Sequence, residues 1–293
     1  EIPLEEGAIV NDGPLKVAIR PPKMIFETAR FRSGGGLLTL SGYHTFDGPM
    51  NLKLEGKADL DILSYWKQFF RDAEGFANLD LKVNGTVEKP DIVGEITFND
   101  AMLVLRAVRG TIENLSGKIR HNGKSLVFEN LSGTMSEGDI TVNGLVNLDG
   151  FVPKYADLTI NTREVAVAEP EVYKIVFSGD FALKGPADKM KLSGDMFITE
   201  GRYVRDFKIT QFILKPEAKT LPSEPNPWLE KILLDLSIKS PGELAIKNNV
   251  ARMFLATDLK VNGPANQPEV QGEIQILDGD FTYFKISFEN ARG

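Results

Sequence analysis

Leu259-Lys260-Val261-Asn262-Gly263, then Pro268, then Val270-Gln271-Gly272-Glu273-Ile274, reads as two β-strands and the turn that joins them. Every second residue is apolar or glycine. That places Leu259, Val261, Val270, Gly272 and Ile274 on one face of a pleated ribbon and Lys260, Asn262, Gln271 and Glu273 on the other. The unit recurs upstream as Leu81-Lys82-Val83-Asn84-Gly85, Pro90 and Val93-Gly94-Glu95-Ile96, and more loosely from Leu183-Lys184-Gly185-Pro186 to Leu192-Ser193-Gly194-Asp195-Met196. The same alternation covers 140–148, 175–183, 232–238 and 253–261. Between the runs lie Asn-Gly pairs at 84–85, 122–123, 143–144 and 262–263, and Asp-Gly pairs at 12–13, 47–48, 149–150 and 278–279, all hairpin signals. The spacing predicts about twenty strands. The fold class is all-β: an antiparallel meander of degenerate repeats whose apolar face continues from unit to unit.

Leu-Ser-Gly recurs at 40–42, 115–117, 131–133 and 192–194. Its leucine and glycine share a face, so glycine stands repeatedly among the inward residues. Two readings are open: bulge or corner glycines, or positions left empty where a curved sheet encloses a lumen.

Composition excludes several chemistries. The 293 residues include no cysteine and two histidines, His44 and His121, which leaves Cys/His metal sites, disulfides and a cysteine nucleophile without residues. A net charge of −7 with no Lys/Arg-dense run argues against nucleic acid and predicts repulsion from anionic head groups. Asn122-Gly123-Lys124-Ser125 imitates the end of a P-loop, but Lys118 stands where the motif needs glycine and a strand pattern follows, so it reads as a hairpin turn. His121 reads as a solvated residue beside that turn, and His44 as a polar-face strand residue. Asn114-Leu115-Ser116 and Asn130-Leu131-Ser132 fit the glycosylation sequon, which is common by chance. Carboxylates alternate with apolar strand residues and offer no acid-base pair, and the chain is read as a non-enzyme with no catalytic residue, metal or cofactor. No apolar run approaches the roughly 18 residues of a membrane helix, and Glu1-Ile2-Pro3-Leu4 has no signal-peptide character. The chain is read as a piece of something longer.

Two segments break the pattern. Residues 59–76 read as a helix capped by Asp59 or Asp61, with Ile62, Trp66, Phe69 and Ala73 at helical period and Leu63, Tyr65 and Phe70 widening the stripe. It is either a fixed cover over apolar surface or a lid, with Ile62, Trp66 and Phe69 as the lid residues. Residues 216–228, with Pro216, Pro222, Pro225 and Pro227, read as a loop, and Trp228 as a packing anchor rather than a ligand contact. The organisation expected is β repeats over 1–215 with the helical insertion, the proline-rich loop over 216–228, and a continuation of the same sheet over 229–293.

The order of these motifs resembles the carboxy-terminal repeats of the TamB family of AsmA-like proteins. The unit at 259–279 carries the resemblance, with Asn226-Pro227-Trp228-Leu229-Glu230, Leu234-Asp235-Leu236 and Asn248-Asn249-Val250-Ala251-Arg252 leading into it. Val172-Tyr173 to Gly179-Asp180, Thr199-Glu200-Gly201-Arg202-Tyr203 and the segment from Gly48-Pro49 to Gly85 also look like it. The resemblance implies an elongated β-taco, a sheet folded into a U around a hydrophobic groove. It also implies an inner-membrane anchor outside this chain, a periplasmic body and a carboxy terminus that meets an Omp85-type outer-membrane partner, TamA.

The expected function is conduction of phospholipid between the inner and outer membranes. The groove wall is read as Leu40, Leu81, Val83, Ile96, Phe98, Ile119, Phe128, Ile140, Val142, Val146, Leu158 and Ile160 in the first half. In the second half it is read as Phe177, Phe181, Leu183, Leu192, Met196, Ile198, Leu234, Leu236, Ile238, Leu255, Leu259, Val261, Ile274 and Ile276. Phospholipid is the transported ligand, and membrane contact falls to other parts of the full protein. The alternatives are a scaffold for outer-membrane protein assembly, whose strand edges pair with client strands, and a structural solenoid with a dry, filled interior.

Overall fold

The computed structural model describes residues 10–67, 69–106, 110–150, 152–206, 229–283, 286–288 and 293. It is almost entirely β, with 18 strands and two short 3-10 segments among the described residues. The chain divides into two compact units, 1–134 with 141–159 and 135–140 with 160–293. The proline-rich 216–228, Trp228 included, lies outside the described residues.

The first unit contains β1 (Val10–Asn11), β2 (Lys16–Arg20), β3 (Lys23–Ser33), β4 (Gly36–Thr45), β5 (Met50–Asp59), β6 (Phe70–Glu74), β7 (Phe76–Gly85), β8 (Pro90–Leu105), β9 (Ile112–Asn122) and most of β10 (Ser125–Met135). Strands β2, β3, β4, β5, β7, β8, β9 and β10 pair antiparallel in that order, an open sheet with no closing pairing among the described residues. β1 adds to β3, and β6 adds to the far half of β8.

This sheet bends along one line. The ladder breaks between Phe98 and Ala101 on β8 and between Glu129 and Ser132 on β10. Asp100, Asn114 and Asn130 adopt left-handed backbone conformations there, and Gly75 has φ 96°. Bulges bend a strand, and bulges at one level on neighbouring strands bend the sheet. Leu60, Ala73, Ala77, Phe98, Ala101 and Leu115 pack along the crease as the buried core. The sequon-like Asn114-Leu115-Ser116 and Asn130-Leu131-Ser132 are bulges in which asparagine tolerates the left-handed turn and leucine faces the core. Asn114 Nδ2 donates to Thr134 Oγ1 at 2.9 Å.

The helix expected over 59–76 is a 3-10 segment, Leu60–Trp66, followed by a turn and the strand β6. Its cap is where the sequence places it, the Asp59 carboxylate accepting from the Asp61 amide at 3.2 Å. The rest is drawn into the sheet because Phe70, Asp72, Ala73 and Glu74 find partners in Leu105, Val104, Leu103 and Met102. Ladder hydrogen bonds across β6 outweigh the helical period.

The second unit contains β13 (Tyr173–Pro186), β14 (Met190–Tyr203), β15 (Ile232–Lys247), β16 (Ala251–Pro264), β17 (Glu269–Tyr283) and β18 (Ile286–Phe288), each paired with the next. All pairings are antiparallel except β14 with β15, which is parallel. A parallel neighbour needs a connection of a dozen residues or more, and 204–231 supplies it. Register breaks at 176/177, 197/201, 240/244 and 254/255 again form a crease, lined by the buried Ile198, Ser240 and Thr257. β11 (Gly138–Asp149) and β12 (Val152–Glu169) each contribute part of their length to both units.

Both histidines stand on the apolar face rather than where their polarity suggests. His44 is opposite Met50 on β5 and Met24 on β3, and His121 is opposite Gly94 on β8 and Leu126 on β10. His121 is only 8% exposed, not solvated. The 122–125 segment beside it is a hairpin turn, in which Asn122 Oδ1 accepts from the amides of Lys124 at 3.2 Å and Ser125 at 2.9 Å.

Candidate functional site: an apolar face in each unit

Residues directly opposite on neighbouring strands share a face. In the first unit this joins Leu40 through Leu54 to Leu81, and Ile96 through Ile119 to Phe128. Val83 lies opposite Leu52, and Phe98 opposite Ala77. Along β4, β5, β7, β8 and β9, every paired position of this face is apolar or glycine except His44 and His121. Ile140, Val142, Val146, Leu158 and Ile160, on β11 and β12, are half-buried.

In the second unit every wall residue read on β13 to β17 falls on one face. Leu183 meets Leu192, which meets Leu234; Phe181 meets Gly194, which meets Leu236, which in turn meets Val261. Phe177 meets Ile198; Met196 meets Ile238, which meets Leu259. Ile274 and Ile276 lie opposite Thr257 and Leu255. Most of these side chains are half-buried, as on a wall with nothing packed over it, and Ile274 is 59% exposed.

Beyond the crease the same face opens into a cavity of about 310 Å³ lined by Tyr173, Ile175, Tyr203, Leu244, Ile246 and Leu255. Of the wall residues read from the sequence, only Leu255 reaches it. Tyr203 was missed because β14 gains a residue at its bulge, while Tyr173, Ile175, Leu244 and Ile246 keep the parity of Phe177 and Ile238 and extend those rows. Alternation carried on from Met196 and Ile198 selects Glu200 and Arg202, whereas the ladder puts Gly201 and Tyr203 inward.

The charged residues form ladders on the other face. Glu95 is bracketed by Lys118 and Arg120, each at 3.4 Å, and Arg120 reaches Glu129 at 3.0 Å. The Lys118 charge, followed by the hydrogen bonds from Lys118 and Arg120, holds the Glu95 carboxyl below the usual range. Lys191–Asp235 and Lys239–Asp258 do the same work of pairing on the second unit. Among the described residues no His/Asp/Glu group could hold a metal ion, and no helix is long and apolar enough to cross a membrane.

The inward glycines do not leave room for a guest. A Cβ on Gly194 (φ 153°) would fall 2.2 Å from the Asp180 carbonyl oxygen, so the neighbouring backbone fills the space. Of the two readings the sequence leaves open, strand curvature and close approach is the one the geometry supports.

The supposed lid has one fixed end. Leu60 belongs to the buried cluster, and its amide donates to the Gly75 carbonyl at 3.0 Å. Ile62 and Phe69 are half-buried, and the Trp66 side chain lies outside the described residues.

A family model of the TamB C-terminal domain matches residues 129–293, more than half of the sequence. The chain belongs to the TamB family. TamB proteins are transport and assembly modules rather than enzymes, and the family works with the outer-membrane partner TamA. No curated protein and no solved structure matches the chain. The TamB match includes all of the second unit's apolar face and its cavity, while β1 to β9 lie before it.

Proposed function

We propose that this TamB chain is a periplasmic segment that conducts phospholipid between inner and outer membranes along its apolar faces. The observation that carries the reading is the second unit's face, apolar from Phe181 across β14, β15 and β16 to Val270, with most of its side chains half-buried and Val270 58% exposed. Each lipid methylene laid on such a wall gains about 0.8 kcal/mol. Acyl chains lie on the wall and head groups stand at its rim, so phospholipid is the transported ligand and no cofactor or catalytic step is involved. The full-length protein is anchored in the inner membrane through regions outside this chain, and a TamA-like Omp85 protein receives it at the outer membrane. The half-exposed wall also separates this reading from a solenoid with a filled interior.

The test is photo-crosslinking along β15. Crosslinkers at Leu236 and Ile238 should capture phospholipid, and those at Ser237 and Lys239, on the opposite face, should not. Capture from the polar face alone would sink the idea.

A second reading, a scaffold for outer-membrane protein assembly, is favoured by the edge of β17. Among the described residues nothing pairs with the outer side of 269–275, and Val270 and Ile274 there are 58% and 59% exposed. An open apolar edge can add a client strand.

A further inference from the structure

Along β4, β5, β7, β8 and β9 the apolar face of the first unit carries two polar interruptions, and they are the chain's two histidines. Each stands just before a hairpin turn, His44 before 46–49 and His121 before 123–124, at the same end of the strands. His121 is nine-tenths buried, between Gly94 and Leu126. Its Nδ1 accepts a hydrogen bond from the Gly123 amide at 3.1 Å. A ring nitrogen that accepts carries no proton, so neutral His121 has its proton on Nε2 and is a donor there. Among the described residues nothing accepts from Nε2. Nor is that atom sealed, since Ser240 Oγ and Thr257 Oγ1 are the buried side-chain atoms without a partner. The ring is pinned by one edge and offers a hydrogen-bond donor from the other on an otherwise greasy wall.

Resting on the lipid-groove reading, we propose that His121 holds the phosphodiester of a guest glycerophospholipid, with His44 a second station on the same rim. Height along the strand sets the occupant. Leu115 lies in the buried crease cluster, and the run from 115 to 121 on β9 rises about 20 Å at 3.3 Å per residue. One leaflet is about 15 Å of hydrocarbon, half of a bilayer core, and about 20–22 Å with its head-group region. A lipid whose tail ends rest at the crease therefore brings its polar junction to the level of His121. There the anionic phosphodiester oxygen is the strongest acceptor a lipid presents to an N–H. His44 is reached from His121 across β8, β7 and β5 to β4, roughly 19 Å at the usual strand spacing. The pair forms stations along the direction of transfer.

The test is nitrogen NMR of the whole chain labelled with 15N-histidine. The unloaded protein should show His121 as the Nε2–H tautomer. Vesicles of dioleoylphosphatidylethanolamine should shift the His121 Nε2 resonance, while dioleoylglycerol and inorganic phosphate, each alone, should not. A shift with dioleoylglycerol would assign the ester instead of the phosphate, and a shift with inorganic phosphate would make the site a bare anion site; either overturns the proposal. His121→Leu should weaken phosphatidylethanolamine binding roughly five-fold or more, and His121→Gln, which keeps a donor, should retain most of it. If the chain takes up fluorescent phospholipid yet Nε2 does not move and His121→Leu binds as well as the parent, the histidine inference alone falls. If it takes up no phospholipid, the groove reading falls with it.

Discussion

Gly94 on β8 lies against Asp80 on β7 so closely that a Cβ on the glycine would sit 2.0 Å from the Asp80 carbonyl oxygen. With φ 148°, Gly94 is also in a conformation that side-chain-bearing residues avoid. Gly94→Ala therefore incurs backbone strain and a steric clash together and should destabilise the first unit by about 3 kcal/mol or more. Gly150→Ala, at φ 61° with no atom near its Cβ, meets only the first of these and should cost about 1 kcal/mol. Denaturant midpoints of the two variants give the comparison, and equal losses would refute the close-approach account.

Thr257 stands opposite Ser240 in the second crease, 9% and 3% exposed, and neither hydroxyl has a partner among the described residues. A buried hydroxyl without a hydrogen bond costs about 1–3 kcal/mol. Thr257→Val keeps the shape and removes that cost. It should raise stability by about 1 kcal/mol, read as a higher urea midpoint at unchanged slope. Loss of stability would show that the hydroxyl is bonded after all.

Period-two alternation made the strands, their turns and the membership of each apolar row legible, because a one-residue error would turn a whole strand over. Parity also placed His44 with Leu40 and Gly42. Polarity argued for the other face, and parity won, since one residue cannot reverse the pleat its neighbours impose. What the alternation could not show is where it is interrupted. The cavity residue Tyr203 lies beyond the β14 bulge, which resets parity without a signature strong enough to read, whereas Leu244 and Ile246 keep the parity of Leu236 and Ile238 and lie past the end of the 232–238 run. The segment at 59–76 misled for a related reason: its helical stripe is real, but β6 is decided by the free edge of β8, a distant part of the chain.

Asp61, in the 3-10 segment, has its carboxyl raised above the usual range, first by burial and then by Asp59 and Asp72. A carboxyl raised on folding contributes stability that is present below its unfolded value and lost as pH rises through its folded value. At pH 7 the charged form is therefore a liability. Asp61→Asn should melt at a higher temperature than the parent at pH 7, and the gap should close by about pH 3, where the parent's carboxyl is protonated in both states. A gap that is the same at both pH values would assign the effect to something other than charge.

Leu236 bears on the transport reading most directly, since it joins Gly194 on one side to Val261 on the other in the middle of the second face. A carboxylate there has no partner on that face and would have to be crossed by every acyl chain moving along it. Leu236 is half-buried, so in the empty protein the charge keeps water and the sheet tolerates it. Leu236→Glu should then abolish phospholipid transfer between donor and acceptor vesicles while leaving the far-ultraviolet circular dichroism spectrum unchanged. Ser237→Glu, one residue on and facing the other way, should transfer at the parental rate. Parental transfer by Leu236→Glu would remove this face from the lipid path and leave the β17 edge as the stronger basis for function.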